Sequence, residues 1–384
     1  MKGILYIWTC LFSVQGCVEV LDIEEITNGE GNGLLLVEAI LTYEFKNQEL
    51  YLSRSDIRSD LERDTTLIPF LTPGLCLRDT VNVETDVKVK LMNDNGVEFT
   101  FTGTSGGRYE SNEAFGLQTE RDYQLEIVTR NGKAYIFQPV KVQGKARIDD
   151  IYAERTTSEN GVDGVAIYVN STPTDGVVEH YSFGYEETYK VIAPLWVNQE
   201  FKLTDYQHCP ETTYTIEMVP REVQNKVCYN TIDSNEVIQT SILNNTTNDV
   251  NRFIVRFISK DNYVTSHRYS ILVKQHVQRS EAYGFYETLK ELSQSDEVFS
   301  QVQPGPLEAN IKRVDGTDEM VLGYVDITSV SERRIYLEYA DFFPGEELPP
   351  YPFPCFEESA PESHVSYCNP GLNFNLCPLS TIER

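Results

Sequence analysis

The chain has 384 residues, with 59 Asp and Glu against 32 Lys and Arg and a formal net charge of −27. That balance excludes a nucleic-acid or anionic-membrane surface, because a phosphate backbone would be repelled at moderate salt. Hydrophobic residues make up 40%, including 23 Tyr and 18 Phe, enough apolar mass for real cores, and a chain of this length suggests two domains.

Met1 to Gly16 have the layout of a lipoprotein signal peptide. Lys2 precedes an apolar run from Ile4 to Val14, and Gly16 stands directly before Cys17. The run is well short of the roughly 20 residues a helix needs to span a bilayer, so it reads as a removable export signal. An aliphatic residue three positions before the cysteine (Val14) and a small one next to it (Gly16) suit lipoprotein processing, which makes Cys17 the lipidation site. Each buried methylene contributes about 0.8 kcal/mol, and two or more chains anchor stably. The alternative is an ordinary secretory signal, with Cys17 left as a free or disulfide cysteine. Residues 17–29 then form the anchor and an acidic spacer, either a plain linker or a surface-export address.

From there strands dominate. Leu34 to Ile40 open the first domain. Val87, Val89 and Leu91 alternate with polar residues into Asn93-Asp94-Asn95-Gly96, and Val97, Phe99 and Phe101 resume the period of two, which predicts a hairpin. Gly106-Gly107 marks another turn. Tyr123, Leu125 and Ile127 lead through Asn131-Gly132 to Ala134 and Phe137, a second hairpin. Short, evenly spaced strands without a helical period predict an immunoglobulin-like β-sandwich over 30–145.

The second domain, 146–343, also reads as mostly β. Val165, Ile167 and Val169 alternate cleanly, Ile254 and Phe257 less so, and Tyr269 to His276 form a strand. Ser280 is a natural N-cap, and Ala282, Phe285, Tyr286, Leu289 and Leu292 share one face, predicting a helix near 281–293. Tyr324 and Ile335 to Leu337 close the domain as strands. The remainder, 344–384, holds 8 of the 17 prolines and reads as an irregular tail. The fold class is therefore all-β in the main, with one clear helix and a Cys/Pro-rich tail.

In an exporting chain, Cys76, Cys209, Cys228, Cys355, Cys368 and Cys377 are candidate disulfide cysteines, with connectivity left open. Zinc would want paired short spacings such as CxxC, and none occurs. His208-Cys209 reads as an adjacency without function.

No metal, cofactor or catalytic residue is nominated. There is no G-x-S-x-G elbow, H-E-x-x-H helix or phosphate-cradling glycine loop. His180 lies near Glu186-Glu187, but neighbours on a strand point to opposite faces, so at most one of the pair could share a site with it. Asp149-Asp150 falls where a linker is expected. Asp315-Gly316-Thr317-Asp318-Glu319 approaches a calcium loop and reads better as a polar turn. Tyr181, Phe183, Tyr185 and Tyr189, with Trp196, are either a core stripe or a stacking platform, the core being favoured.

Taken together, Cys17-Val18-Glu19, Leu35 to Glu38, Gly107-Arg108-Tyr109, Tyr123 to Ile127, Gly132 to Tyr135, Tyr185 to Tyr189, Tyr269 to Gln275, Ser280 to Phe285, Asn310-Ile311 and Leu322-Gly323-Tyr324 resemble the family called domain of unknown function 4249. Ala309 stands where that pattern has Gly, and Cys228-Tyr229 where it has Cys-Trp. The resemblance implies a Bacteroidota lipoprotein at the outer membrane, facing the cell exterior. It also implies a TonB-dependent SusC-like β-barrel as partner. The expected function is non-enzymatic: a binding or accessory protein in capture of a glycan, peptide or other nutrient, with no nucleic-acid partner. A structural or assembly accessory, or an adhesin, is the alternative, and a surface hydrolase a third reading.

Overall fold

A computed structural model describes residues 33–55, 82–118, 121–140, 144–192, 198–207, 213–222, 226–243, 245–294, 307, 309–317 and 319–350. Over these residues the chain is mainly β, with two helices, one of them long. The first stretch supplies β1 (Leu35–Thr42), β2 (Glu49–Arg54), β3 (Asn82–Val83), β4 (Lys88–Asn93), β5 (Glu98–Gly103), β6 (Arg108–Ser111), β7 (Tyr123–Val128) and β8 (Ala134–Val140). Alternation makes these strands: Val89 and Leu91 of β4, and Tyr123, Leu125 and Ile127 of β7, point inward while their neighbours do not. Between β4 and β5, the Asn93 carbonyl Oδ1 accepts from the amides of Asn95 and Val97 at 3.0 and 2.9 Å. Gly96 there takes φ +79°, a backbone that glycine adopts without strain.

The chain continues through β9 (Gly144–Thr157), β10 (Asp163–Gly176), β11 (His180–Ile192), β12 (Gln199–Gln207), β13 (Thr213–Pro220), β14 (Val227–Asp233), β15 (Ile238–Ser241), β16 (Val250–Ser259) and β17 (Tyr269–Gln278). Helix α1 (Ser280–Gln294) follows, then β18 (Ile311–Arg313), β19 (Val321–Thr328), β20 (Val330–Leu337) and the short α2 (Tyr339–Phe342). The three-stranded sheet β16-β10-β9 and the sheet β14-β11-β17-β20, with β15 also on β11, enclose one core. The hairpin β12–β13 pairs with neither.

Residues 311–328 depart from the linear division. Instead of closing the second unit, β18 and β19 join the first sheet, whose order is β18-β8-β7-β4-β5-β6-β2-β1-β19, with β3 on β2. β19 runs parallel to β1, with Leu35 opposite Val321 and Thr42 opposite Thr328. The two ends of this sheet meet, because Asn310 holds the backbone of Val325. Its Nδ2 donates to the Val325 carbonyl at 2.7 Å, and the Val325 amide donates to its Oδ1 at 3.0 Å. The curled sheet surrounds a core that includes Leu35, Leu91, Leu125, Tyr135, Phe137 and Val325. Gly323 has φ +86°, and a Cβ there would lie 2.2 Å from the Val37 carbonyl oxygen. Only glycine lets β19 approach β1.

One residue, Ser329, carries the chain from β19 in the first sheet to β20 in the second. Its hydroxyl donates to the Gly144 carbonyl at 2.9 Å, where the chain first enters the second unit. The Val277 amide donates to the Ser329 carbonyl at 3.2 Å, and the Thr328 hydroxyl to the Val277 carbonyl at 2.6 Å. Helix α1 lies over this seam, with Phe285 against Tyr324 of β19 at 4.8 Å and Tyr283 stacked on His180 of β11 at 4.3 Å.

Candidate functional site

β11 carries the aromatic stripe, and its period of two sets what each face presents. Tyr181, Phe183, Tyr185, Glu187 and Tyr189 are buried toward the core. Phe183 stacks on Phe253 of β16 at 5.1 Å. The four aromatics are therefore core residues, while Trp196 lies outside the described residues. Glu187 shares their face and is only 1% exposed. The Arg256 Nε of β16 lies 2.7 Å from its Oε1, placed for charge attraction more than for a linear hydrogen bond, and the Arg256 guanidinium sits 5.6 Å from the Tyr185 ring. Burial raises the Glu187 carboxyl above its ordinary range, and Arg256 opposes that rise.

His180 and Glu186 point the other way. His180 is covered by Tyr283, with the Ser280 hydroxyl 3.3 Å from its Nε2, and burial lowers its pKa. Ser280 begins α1 with its hydroxyl turned toward β11. Glu186 accepts from Arg334 at 2.6 Å. His180, Glu186 and Glu187 thus occupy two faces and form no joint site.

Asp149 and Asp150 lie inside β9, not in a linker. Burial would raise the Asp149 carboxyl, but hydrogen bonds from Thr172 and Arg147, both 2.8 Å, hold it low. Asp315 accepts from the Thr317 amide at 3.0 Å and pairs with Arg313 at 2.7 Å. Glu319 takes Arg313 at 2.6 Å, Lys133 at 3.3 Å and the Tyr135 hydroxyl at 3.0 Å. Cations and amides occupy these carboxylates, as in a polar turn; Asp318 lies outside the described residues. Among the described residues no group of three or more His, Cys, Asp and Glu converges. Cys228 is buried on β14; Cys17, Cys76, Cys209, Cys355, Cys368 and Cys377 lie outside the described residues, as do the acidic spacer and the tail beyond residue 350.

The sequence reading missed the seam. Asp326 of β19 is buried, with the Arg279 Nε at 3.8 Å and the Ile327 amide donating to its Oδ1 at 2.9 Å. Burial pushes its pKa up to about 6 against the pull of Arg279 and that amide, and Glu281 adds to the rise. Burial likewise raises the Tyr286 phenol, reinforced by Asp326 and Glu38. A carboxylate between Val325 and Ile327 in an apolar strand was the available signal. Nothing local in the sequence pointed to Arg279 or Arg256.

A family model described as a domain of unknown function, DUF4249, matches residues 18–334. The chain belongs to the DUF4249 family. Comparison with curated proteins gives no match. Within this DUF4249 chain, Asn310 and Gly323 have now acquired structural roles: the side chain that closes the first sheet and the glycine that admits β19 beside β1.

Among the described residues, one broad face of this DUF4249 chain is uncovered. Helix α1 lies on the His180 end of the five-stranded sheet, and no described element lies over the Glu186–Ile192 end. There the even-numbered side chains of β11 face outward beside Tyr229 of β14 and Tyr336 of β20, each 60% exposed. Thr188 and Thr231 share a hydrogen bond at 2.9 Å, and Arg334 donates to Ser270 at 2.8 Å.

Proposed function

We propose that this DUF4249 protein is a lipid-anchored, surface-facing outer-membrane binding or accessory component that acts with a TonB-dependent SusC-like transporter in nutrient capture. The observation that carries the reading is Val14-Gln15-Gly16-Cys17, lying directly before residue 18, where the family match begins. The internal architecture is consistent with a scaffold. Its buried and half-buried carboxylates (Glu187, Glu319, Asp326) face cations within the fold. The first sheet, completed by β18 and β19, serves in this reading as an immunoglobulin-like support.

Two experiments test it. Labelled palmitate should enter the wild-type protein and not Cys17→Ser, and the variant should leave the outer-membrane fraction. A mild-detergent pull-down of tagged protein from native outer membranes, read by mass spectrometry, should recover a stoichiometric TonB-dependent barrel. Recovery of barrel-assembly components, or of no barrel, would overturn the uptake reading.

A further inference from the structure

We propose that the open outer face of the five-stranded sheet is a binding site for a short carboxylate-bearing oligosaccharide, its rings against Tyr229 and Tyr336 and its carboxylates against Lys190 and Arg268. The inference rests on the reading of the chain as a binding protein and names a ligand class for it.

Strand register builds the site. Tyr229 is directly opposite Lys190, Thr231 opposite Thr188, Thr188 opposite Ser270, and Ser270 opposite Tyr336. Directly opposed side chains project from the same face. Two exposed phenol rings therefore stand on the outermost strands with small hydroxyl side chains between them. Three inter-strand steps, about 14 Å at ~4.8 Å per step, and a two-residue offset along β14 of about 7 Å separate the two positions, about 16 Å in all. A floor of Thr188 and Thr231 between taller Tyr side chains makes a shallow trough that offers hydroxyls instead of apolar surface, while Ser270, buried in the same row, accepts from Arg334 at 2.8 Å.

Charge selects the occupant. Each ring has its own cation: Lys190 opposes Tyr229, and the Arg268 guanidinium lies 5.0 Å from the centroid of Tyr336. The Lys190 amide donates to the Arg268 carbonyl at 3.0 Å, so the two cations rise from adjoining positions. Neighbouring Arg334 is committed to Glu186. Lys190 and Arg268 have no carboxylate partner among the described residues, in a chain of 59 acids and 32 bases. A ring paired with one anion, repeated, is the covalent pattern of a uronic-acid oligomer. Aromatic faces take the apolar side of a sugar, the hydroxyl floor exchanges hydrogen bonds with its hydroxyls, and a carboxylate forms charge-assisted bonds with Lys and Arg. The net charge of −27 repels a long polyanion, which confines the occupant to a short oligomer.

The test is calorimetric titration of the detergent-solubilised full chain with trimers of galacturonate, glucuronate and mannuronate. The methyl esters, an oligo-Glu peptide and oligo(dT) serve as comparison ligands. At least one uronate trimer should bind, at least tenfold more tightly than its methyl ester and than the peptide or oligo(dT). Tyr229→Ala, Tyr336→Ala, Lys190→Gln and Arg268→Gln should each weaken it about tenfold with an unchanged melting curve, whereas Tyr51→Ala on the first unit should not. No binding by any trimer, equal binding of the ester, equal binding of the peptide or oligo(dT), or insensitivity to all four substitutions would overturn the proposal. The four variants should still co-purify with the barrel. Loss of the uronate signal with the barrel retained therefore counts against this site alone, and loss of the barrel from wild type against the transporter reading alone.

Discussion

Replacing Arg256 with Met isolates the charged pair that the described residues place inside the second core. Glu187 is 1% exposed, Arg256 is the cation 2.7 Å from its Oε1, and its Oε2 meets no hydrogen-bond donor among the described residues. Arg256→Met leaves an uncompensated carboxylate among Tyr185, Tyr189 and Tyr269, and stranding one member of a buried pair costs about 3–5 kcal/mol. The folded pKa of Glu187 already lies above its ordinary 4.5. Its contribution to stability is therefore fully present below about 4.5 and is lost as pH rises through the folded value. Removing Arg256 raises that folded value further, so the window of loss extends upward. Denaturant unfolding followed by circular dichroism should show a deficit of about 3–5 kcal/mol at pH 7.5 that shrinks on acidification toward pH 5. The double variant Glu187→Gln/Arg256→Met should recover most of it, since no charge is then stranded. A pH-independent deficit, or one below about 1 kcal/mol, would refute the reasoning.

Three further outcomes follow from the seam and the first sheet. Asp326, shifted from 3.8 to about 6, favours the fold when protonated, so the wild type gives up about 3 kcal/mol as pH rises across that window. The stability gap between Asp326→Asn and wild type should move by that amount in the variant's favour from pH 4 to pH 7, and a constant gap would show that Asp326 titrates normally. Asn310→Ala strips both partners from the Val325 backbone and should cost about 1–3 kcal/mol, read as faster hydrogen exchange at the Val325 amide. Gly323→Ala forces a side chain onto φ +86° and the Val37 carbonyl; backbone strain alone costs about 1–3 kcal/mol, so the melting temperature should fall, whereas an unchanged one would mean that β19 can retreat from β1 without loss.

The sequence was most legible where structure is local. Asn-Gly turns announced the β4–β5 and β7–β8 hairpins, because the turn residues and the flanking alternation lie within one window. The helix was legible from Ser280 and its apolar spacing. The untidy alternation at Ile254 has a physical cause: Val255 is an extra residue where the β10–β16 register shifts, so Ile254 is 47% exposed while Val255 is buried. Period-two reasoning also placed the tyrosines of β11 on a single face and allowed only one of Glu186 and Glu187 to share a face with His180. It could not say that Glu187 would be the core carboxylate, because its partner Arg256 comes from a strand far away in sequence. Long-range pairing was the larger gap. β19 reads as a strand from its residues alone, but nothing in them names β1 as its neighbour, so chain order alone places Tyr324 in the second unit. The open face with Tyr229 and Tyr336 was illegible for the same reason: its rows exist only after four strands from distant parts of the chain align.

The parallel pairing of Leu35 with Val321 also fixes a sequence of events in time. The second core can assemble from residues 144–278 and needs only β20 afterwards, but the first sheet keeps β1 as an unprotected edge until β19 has been made. Pairings this remote close slowly, and an unpaired edge waiting for its partner invites association with other chains. β1 is therefore among the last strands to be secured, and a chain interrupted before residue 321, which also lacks β20, should aggregate through β1.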